Sequence, residues 1–476
     1  MSRHSGPSPL TETSRVPSVA VIGAGISGLA AAHRLRTLLG AQAQITLFEQ
    51  TGLVGGVLRT ESLADRPFDV GAEAFLTRRP EVPAMLAELG LSEQVVHPGD
   101  ARTSVLANGR TVGLPARTVM GIPSTADTMG ELLSADALRY MAAEPERALH
   151  WEVGSDVSVG ELVRERFGEE VVARSVDPLL GGVYSGLADS LGVRATVPDL
   201  ADALDAGAPN LLAAATAALP VQQPGVPVFG ALRGGYSRLT LALEEAAAAT
   251  ARLSVTVTGL GSDQQGWWVD TADGSRERVD AVVLAVPAPA AHKLLASAAP
   301  SASRAAAGIP LASCAVVGFA FAAQKVDAQL PQTSGLLVAT GEPLHSKAFT
   351  HSSRKWPHLA DGEVLLLRAS LGRFGDVAAL QADDAELVAR ARADLEALHG
   401  ISALPLDTIV QRWEGGLPQY GPGHPARVAA LEAGVAEHPG LAVAGSMLHG
   451  VGVPACIATG WAAAESVVQH ISAGAR

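Results

Sequence analysis

Gly23, Gly25 and Gly28 follow the apolar run Val19-Ala20-Val21-Ile22 and precede an Ala/Leu-rich stretch beginning at Leu29. In the order strand, Gly-x-Gly-x-x-Gly, helix, each glycine has a task. Gly23 allows a tight turn, Gly25 lets backbone approach a pyrophosphate, and Gly28 lets the helix pack close to the strand with its N-terminus aimed at the phosphates. A second apolar strand, Ile45-Thr46-Leu47-Phe48, ends in Glu49. That is about 20 residues after the glycines, where a ribose-binding acid belongs. Gly23, Ala24, Gly25, Ile26, Ser27, Gly28 and Glu49 are therefore the first candidate ligands of a dinucleotide. A Gly-rich turn in an unrelated α/β domain has no reason to bring strand, glycines, helix and acid in this order.

The next segment separates FAD from NAD. A second glycine pair, Gly55-Gly56, comes just after the ribose acid and is followed by Arg59, then by Phe68-Asp69-Val70-Gly71-Ala72-Glu73-Ala74. This resembles the extension found in flavin-dependent oxidoreductases. Gly55 and Gly56 let backbone N–H groups sit against phosphate or ribityl oxygens, and Arg59 can pair with a phosphate or the flavin ring edge. The far end agrees. Leu441-Ala442-Val443-Ala444-Gly445 reads as a buried strand, and Gly450-Val451-Gly452-Val453-Pro454-Ala455-Cys456-Ile457 as a turn into a helix over Ala458–His470. A strand, a glycine loop and a helix N-terminus make a second anion or carbonyl-oxygen site. Val279–Pro287 is another buried-strand run, so the cofactor domain is expected to be discontinuous.

Composition sets the class. The chain has 476 residues, enough for two or three domains, and a net charge of -13. Its lysines are Lys293, Lys325, Lys347 and Lys355. Such a surface does not suit nucleic acid. Two scattered cysteines, Cys314 and Cys456, make neither a disulfide framework nor a metal site, which suits a cytoplasmic enzyme. Residues 1–17 are polar and Pro/Ser-rich, expected as a flexible tail rather than a signal peptide. No uninterrupted apolar stretch reaches membrane-spanning length.

The expected fold is α/β and α+β. FAD-binding pieces over 18–85, 201–305 and 436–476 form one Rossmann-like discontinuous domain. A mainly helical insert covers 86–200, and a mixed-sheet substrate domain covers 306–435. Within the insert, Val159–Gly168 shows helical spacing with a glycine stop, and Glu169–Arg174 resumes as helix. Pro198 to Pro227 is low-complexity and reads as partly flexible. Leu241–Ala251 reads as a helix, Ala315–Phe321, Gly335–Ala339 and Val364–Ala369 as strands, and Asp383–Leu398 as a helix.

At this resolution the chain is identified as a member of the oxygen-dependent porphyrinogen oxidases, of the soluble Gram-positive bacterial type, within the flavin amine oxidase fold group. The resemblance runs from about Ser18 onward. It is carried by Val21–Leu29, by Phe68-Asp69-Val70-Gly71 with Phe75-Leu76 and Arg78-Arg79, and by Asp177-Pro178 with Gly181-Gly182-Val183-Tyr184-Ser185-Gly186. Trp413 with Leu417-Pro418-Gln419-Tyr420 and Gly423-His424, and Gly450–Ile457, complete it. The chain departs from relatives at Ala72-Glu73, where Gly71 is usually followed by Pro, and at Ser370, where some carry Tyr.

The resemblance implies non-covalent FAD held by the residues above together with Val257, Gly445, Val451, Gly452 and Val453. It implies a six-electron oxidation of a porphyrinogen in heme biosynthesis, in three two-electron steps. Each passes a hydride from a meso carbon to flavin N5, with dioxygen as acceptor and hydrogen peroxide as product. Coproporphyrinogen III is the favoured substrate and protoporphyrinogen IX the alternative; hand-over to a ferrochelatase follows. The location is cytoplasmic, with peripheral membrane contact as a variant. The flavin carries the chemistry, so no protein nucleophile is required, and no metal site is expected. Propionates call for arginine: Arg79 first, then Arg78, Arg174 and Arg368, with Tyr184 lining the slot. An amine oxidase or carotenoid desaturase of the same fold is the competing reading; Pro-Ala-Cys-Ile around Cys456 does not match a covalent-flavin motif.

Overall fold

The computed structural model describes residues 16–221, 225–376 and 378–474, so the expected tail lies outside the described residues except for its last two. Five parallel strands form the first sheet, in the order Thr250–Arg252, Gln44–Phe48, Ser18–Ile22, Ala281–Leu284, Leu441–Val443. A parallel sheet covered on both faces needs near-continuous apolar strands, and Ser18–Ile22 divides its side chains accordingly. Val19 and Val21 pack among the helices Ile26–Leu39, Ser237–Ala247 and Val453–Gly474. Ala20 and Ile22 face the antiparallel strands Val257–Asp263, Gly266–Thr271 and Arg276–Val279 and the helices Ala288–Ala298, Pro300–Ala307 and His424–Ala436.

A seven-stranded mixed sheet stands beside it. Its order is Asp407–Pro418, Leu311–Ala322, Val364–Leu371, Ser346–Thr350, Gly335–Val338, Thr103–Ala107, Arg110–Gly113. Only the pair Gly335–Val338 with Thr103–Ala107 is parallel. One face packs on the helix Asp384–His399, which Asp383 caps by accepting from the Glu386 N–H at 2.8 Å. A third core is helical. There Val159–Phe167 is capped by Ser158 and stopped by Gly168 at φ +92°. The chain then continues through Glu169–Val171, a widened π-helical turn at Val172–Val176, and Asp177–Tyr184.

Several sequence expectations need correction. The region 86–200 is mainly helical but not one unit: the hairpin Thr103–Ala107/Arg110–Gly113 leaves it to extend the second sheet, where Val105 and Leu106 are buried. The first part of the stretch Pro198 to Pro227 is ordered as helix, and 222–224 lie outside the described residues. That first part forms Pro198–Asp205 and Leu211–Ala217, whose Leu200, Leu204 and Leu211 are buried in the helical core. Alanine-rich composition hides these apolar anchors. The Ala-rich helix spans Ser237–Ala247 and ends where Ala248 turns left-handed, before the strand Thr250–Arg252. The C-terminal helix begins at Val453, five residues earlier than composition suggests.

The helical core contains a buried ion pair. Arg166 and Glu144 are 2% and 0% exposed, and an Arg166 guanidinium nitrogen lies 2.8 Å from Glu144 Oε1. Arg166 also donates to the Ala148 and Arg147 carbonyls, and Glu144 accepts from the Leu211 N–H at 2.8 Å. Removing one member strands the other charge. Arg166→Met should therefore lower stability by about 3–5 kcal/mol in denaturant unfolding; a loss below 1 kcal/mol would show that the site relaxes to admit water.

Candidate active site

The three fingerprint glycines prove to have different reasons. A Cβ on Gly23, at φ +99°, would stand 2.3 Å from the Ala285 carbonyl oxygen, and one on Gly28 would stand 1.9 Å from the Gly23 carbonyl oxygen. These two are required by the protein's own packing. A Cβ on Gly25 would meet nothing within 4 Å. Gly25 has ordinary extended angles, so neither backbone strain nor the protein's own atoms call for glycine there. The open volume over Gly25 is the cradle a pyrophosphate would fill.

Other groups converge on that cradle. Gly55 bridges to Gly25, its N–H donating to the Ala24 carbonyl at 2.8 Å, which brings Gly55-Gly56 beneath the first glycine loop. No side chain caps the helix Ile26–Leu39 and its first turn holds no acid, so its N–H groups and dipole face outward. Glu49 stands at the strand tip with Oε2 accepting from the Ala24 N–H at 3.0 Å and Oε1 from the Thr51 N–H at 2.9 Å. The helix Val453–Gly474 starts beside Gly450 and Gly452, and Gly445 donates to Thr459 Oγ1 at 3.1 Å. The two helices pack at backbone distance: a Cβ on Gly460 would stand 2.3 Å from the Ser27 carbonyl oxygen. Gly23–Gly28, Glu49, Gly55, Gly56 and Gly445 through Val453 thus surround one cleft. Val257 pairs with Thr271 on the antiparallel layer, two residues beyond Val255, whose N–H donates to the Glu49 carbonyl at 2.9 Å, and Arg59 is ion-paired with Glu61.

The loop Asp69–Ala74 joins this cleft to the second sheet. Gly71 lies so close to the Val57 carbonyl oxygen that a Cβ would stand 1.8 Å away. Trp413 Nε1 donates to the Val70 carbonyl at 2.9 Å, and Arg368 to the Gly71 carbonyl at 2.7 Å. Burial alone would raise the Glu73 carboxyl. The charges of Lys355, at 3.2 Å, and Arg368, with the Trp356 N–H, outweigh it and hold Glu73 below the usual carboxylate range. Glu73, unexpected at this position, is the anchor of the loop. Behind it lies a cavity of about 240 Å³ bordered by Asp69, Glu73, Arg233 and His358. Burial pushes the Asp69 carboxyl up to about 6.

The expected substrate residues are not gathered in one place. Arg79 is 45% exposed and paired with Glu81, and Arg78 is exposed beside it. Arg174 is tied to Glu170 at 2.6 Å and to the Leu132 carbonyl, as an internal strut. Arg368 holds the Asp69–Ala74 loop. The Tyr184 ring is buried against Tyr420 with centroids 5.6 Å apart, its hydroxyl pushed up to about 12 by burial, while Gly182 and Val183 carry the exposed edge of that helix.

Two residues had no assigned role in the sequence reading. Tyr420 accepts at its hydroxyl from the Gly450 N–H at 2.9 Å and donates to the Ser446 carbonyl, clamping the second glycine loop. Its ring stacks on His424 at 3.9 Å. Its place in Pro418-Gln419-Tyr420 was the available signal. Lys347 is buried on a sheet strand; a lysine in a chain with so few was the signal there. Cys456 is a buried thiol pushed up to about 11 by burial, which disfavours the thiolate that covalent attachment needs.

The description "Flavin containing amine oxidoreductase" matches residues 26–468. The chain belongs to that family. It is a flavin-linked oxidoreductase with an α/β fold of the amine oxidase type. It is 47% identical over 456 residues to a Mycobacterium tuberculosis protein named coproporphyrinogen III oxidase, covering 96% of this chain and 98% of that protein. It is 26% identical to Arabidopsis thaliana protoporphyrinogen oxidase 2, over 95% of this chain and 94% of that one. A solved structure from Exiguobacterium sp. 255-15 superposes with a TM-score of 0.82 at 27% identity, covering 95% of this chain and 98% of its own.

Three outcomes follow from this flavoprotein's geometry. Gly25→Val should leave the melting temperature of the flavin-free protein within about 2 °C, since surface changes without a clash are near-neutral, yet abolish flavin retention. Gly28→Ala should lower the melting temperature itself; equal behaviour of the two variants would refute the distinction. Tyr420→Phe removes both hydroxyl bonds to the second glycine loop and should weaken flavin binding about ten-fold or more in equilibrium titration. The Asp69 pKa is raised on folding, so its contribution favours the folded state fully below about 3.8 and is lost as pH rises to about 6. Asp69→Asn should accordingly flatten the stability profile across that window.

Proposed function

We propose that this chain is an FAD-dependent coproporphyrinogen III oxidase. It removes six electrons and six protons from the porphyrinogen in three two-electron oxidations. Dioxygen is the final acceptor and three hydrogen peroxide molecules result. The full-length 47% identity to a protein of that name is the observation that carries the reading. A bound flavin supplies the two-electron acceptor, and the chain's residues bind, orient and exclude water.

In this reading FAD is held without a covalent bond by the uncapped end of the helix Ile26–Leu39, the start of the helix Val453–Gly474, Gly25, Gly55-Gly56 and Glu49. The macrocycle lies against the exposed Gly182–Val183 edge, and Arg79 and Arg78 meet propionates at the mouth. The product passes to a ferrochelatase. Among the described residues no helix is long and apolar enough to cross a membrane. Protoporphyrinogen IX is a slower substrate, since it lacks two of the four carboxylates.

Purified protein should show a flavin spectrum, consume oxygen and develop porphyrin fluorescence on addition of coproporphyrinogen III. A flavin spectrum with neither porphyrinogen oxidised would reject the reading. Arg79→Ala should raise KM by an amount worth roughly 1 kcal/mol, because Arg79 is half exposed and must leave Glu81. Unchanged kinetics would move that contact to another arginine.

A further inference from the structure

Lys347 sits where an ammonium is costly. It is 8% exposed and occupies the bulge between Ser346 and Ala348 on the strand Ser346–Thr350. Its Nζ donates to Ser185 Oγ and to the Gly372 carbonyl at 2.7 Å, both uncharged acceptors. Among the described residues no carboxylate lies within ion-pair distance of it. An ammonium has three donors, so one N–H is left over. Burial pushes Lys347 down to about 8; Arg373 and Arg368 push the same way, and Cys314 is the one titratable neighbour that acts against them. A buried cation among cations, with a spare donor, is stabilised when an anion arrives.

The surroundings place that anion in the substrate region. Ser185 ends the helix Asp177–Tyr184, in left-handed backbone at φ +51°, and its carbonyl accepts from the Phe374 N–H at 2.6 Å. That helix packs on the strands Ser346–Thr350 and Gly335–Val338, with Gly182 approaching Leu337. By register Ala348 lies opposite Ser370, and Thr350 opposite Arg368, so these small or cationic residues share one face of the sheet. Arg368 on this face reaches the Gly71 loop at the cofactor cleft. The opposite face is closed by the helix Asp384–His399.

We infer that Lys347 is the inner carboxylate receptor of the substrate slot, pairing one of the two propionates that coproporphyrinogen III has and protoporphyrinogen IX replaces with vinyls. The inference rests on the porphyrinogen reading above. Arginines at the mouth serve the propionates common to both substrates. The additional pair points inward, where an apolar wall would suit vinyls and only a buried cation suits a carboxylate. The carboxylate takes the third N–H while Ser185 and Gly372 keep the other two.

The test compares the two porphyrinogens on the flavin-loaded enzyme. Lys347→Met keeps the alkyl stem. It should lower kcat/KM for coproporphyrinogen III about ten-fold or more, the scale of one charge-assisted bond, and leave protoporphyrinogen IX within about two-fold. Lys347→Arg should restore most of the loss, with flavin content unchanged in both variants. An equal loss on both substrates, or no loss, overturns the inference. If the unaltered enzyme oxidises neither substrate, the porphyrinogen reading itself has failed. A second measurement needs no variant: with four lysines, ¹³C-labelled lysine gives a resolvable Lys347 resonance. Coproporphyrin III should shift it and protoporphyrin IX should not; the same response to both overturns the assignment.

Discussion

Backbone meets backbone at four glycines, and the rest of the molecule is arranged around those contacts. Gly23 lies on the Ala285 carbonyl, Gly28 on Gly23, Gly460 on the Ser27 carbonyl and Gly71 on the Val57 carbonyl. Each contact is too close for any Cβ. Together they draw the N-terminal ends of two helices, the first strand and the Asp69–Ala74 loop into one cleft. The helix Ile26–Leu39, which no side chain caps, thereby presents its N–H groups and dipole to the cleft.

The second layer of organisation is polar and long-range. Trp413 and Arg368 hold the Asp69–Ala74 loop from the sheet side. Tyr420 clamps the Ser446–Gly450 loop, while Gln419 donates to the Tyr184 carbonyl at 2.7 Å. Asp177 accepts from Thr340 at 2.7 Å, and Arg373 donates to the same threonine. The helical core, the mixed sheet and the cofactor cleft are therefore joined by groups that serve two of them at once.

The cofactor half of the molecule was legible in the sequence because its signals are local. Strand, glycines, helix and acid lie in one short stretch, and each residue's task follows from its neighbours. Gly445 through Val453 were legible for the same reason, although the helix boundary was set too late because Val453-Pro454-Ala455 carries no strong capping residue. The sheet strands at Leu311–Ala322 and Val364–Leu371 followed from their apolar runs. What composition concealed were elements whose burial depends on distant partners: the hairpin at Thr103–Gly113, which joins a strand more than 200 residues later, and the alanine-rich helices after Pro198.

Site electrostatics were decided only by tertiary structure. Arg79, Arg174 and Arg368 are equivalent in sequence, but the fold gives one to the surface, one to an internal strut and one to the cofactor loop. Glu73 looks like a departure from the family pattern, yet the fold surrounds it with Lys355, Arg368 and Trp356 and makes it an anchor. Lys347 is one of four lysines in sequence and becomes a buried cation through contacts with Ser185 and Gly372, far away along the chain. Local spacing determined the glycine fingerprint and its acid, because strand, glycines, helix and Glu49 lie in one short stretch of chain. Which charges face the slot depends on burial and on neighbours brought together from all three cores, and no sequence spacing encodes those.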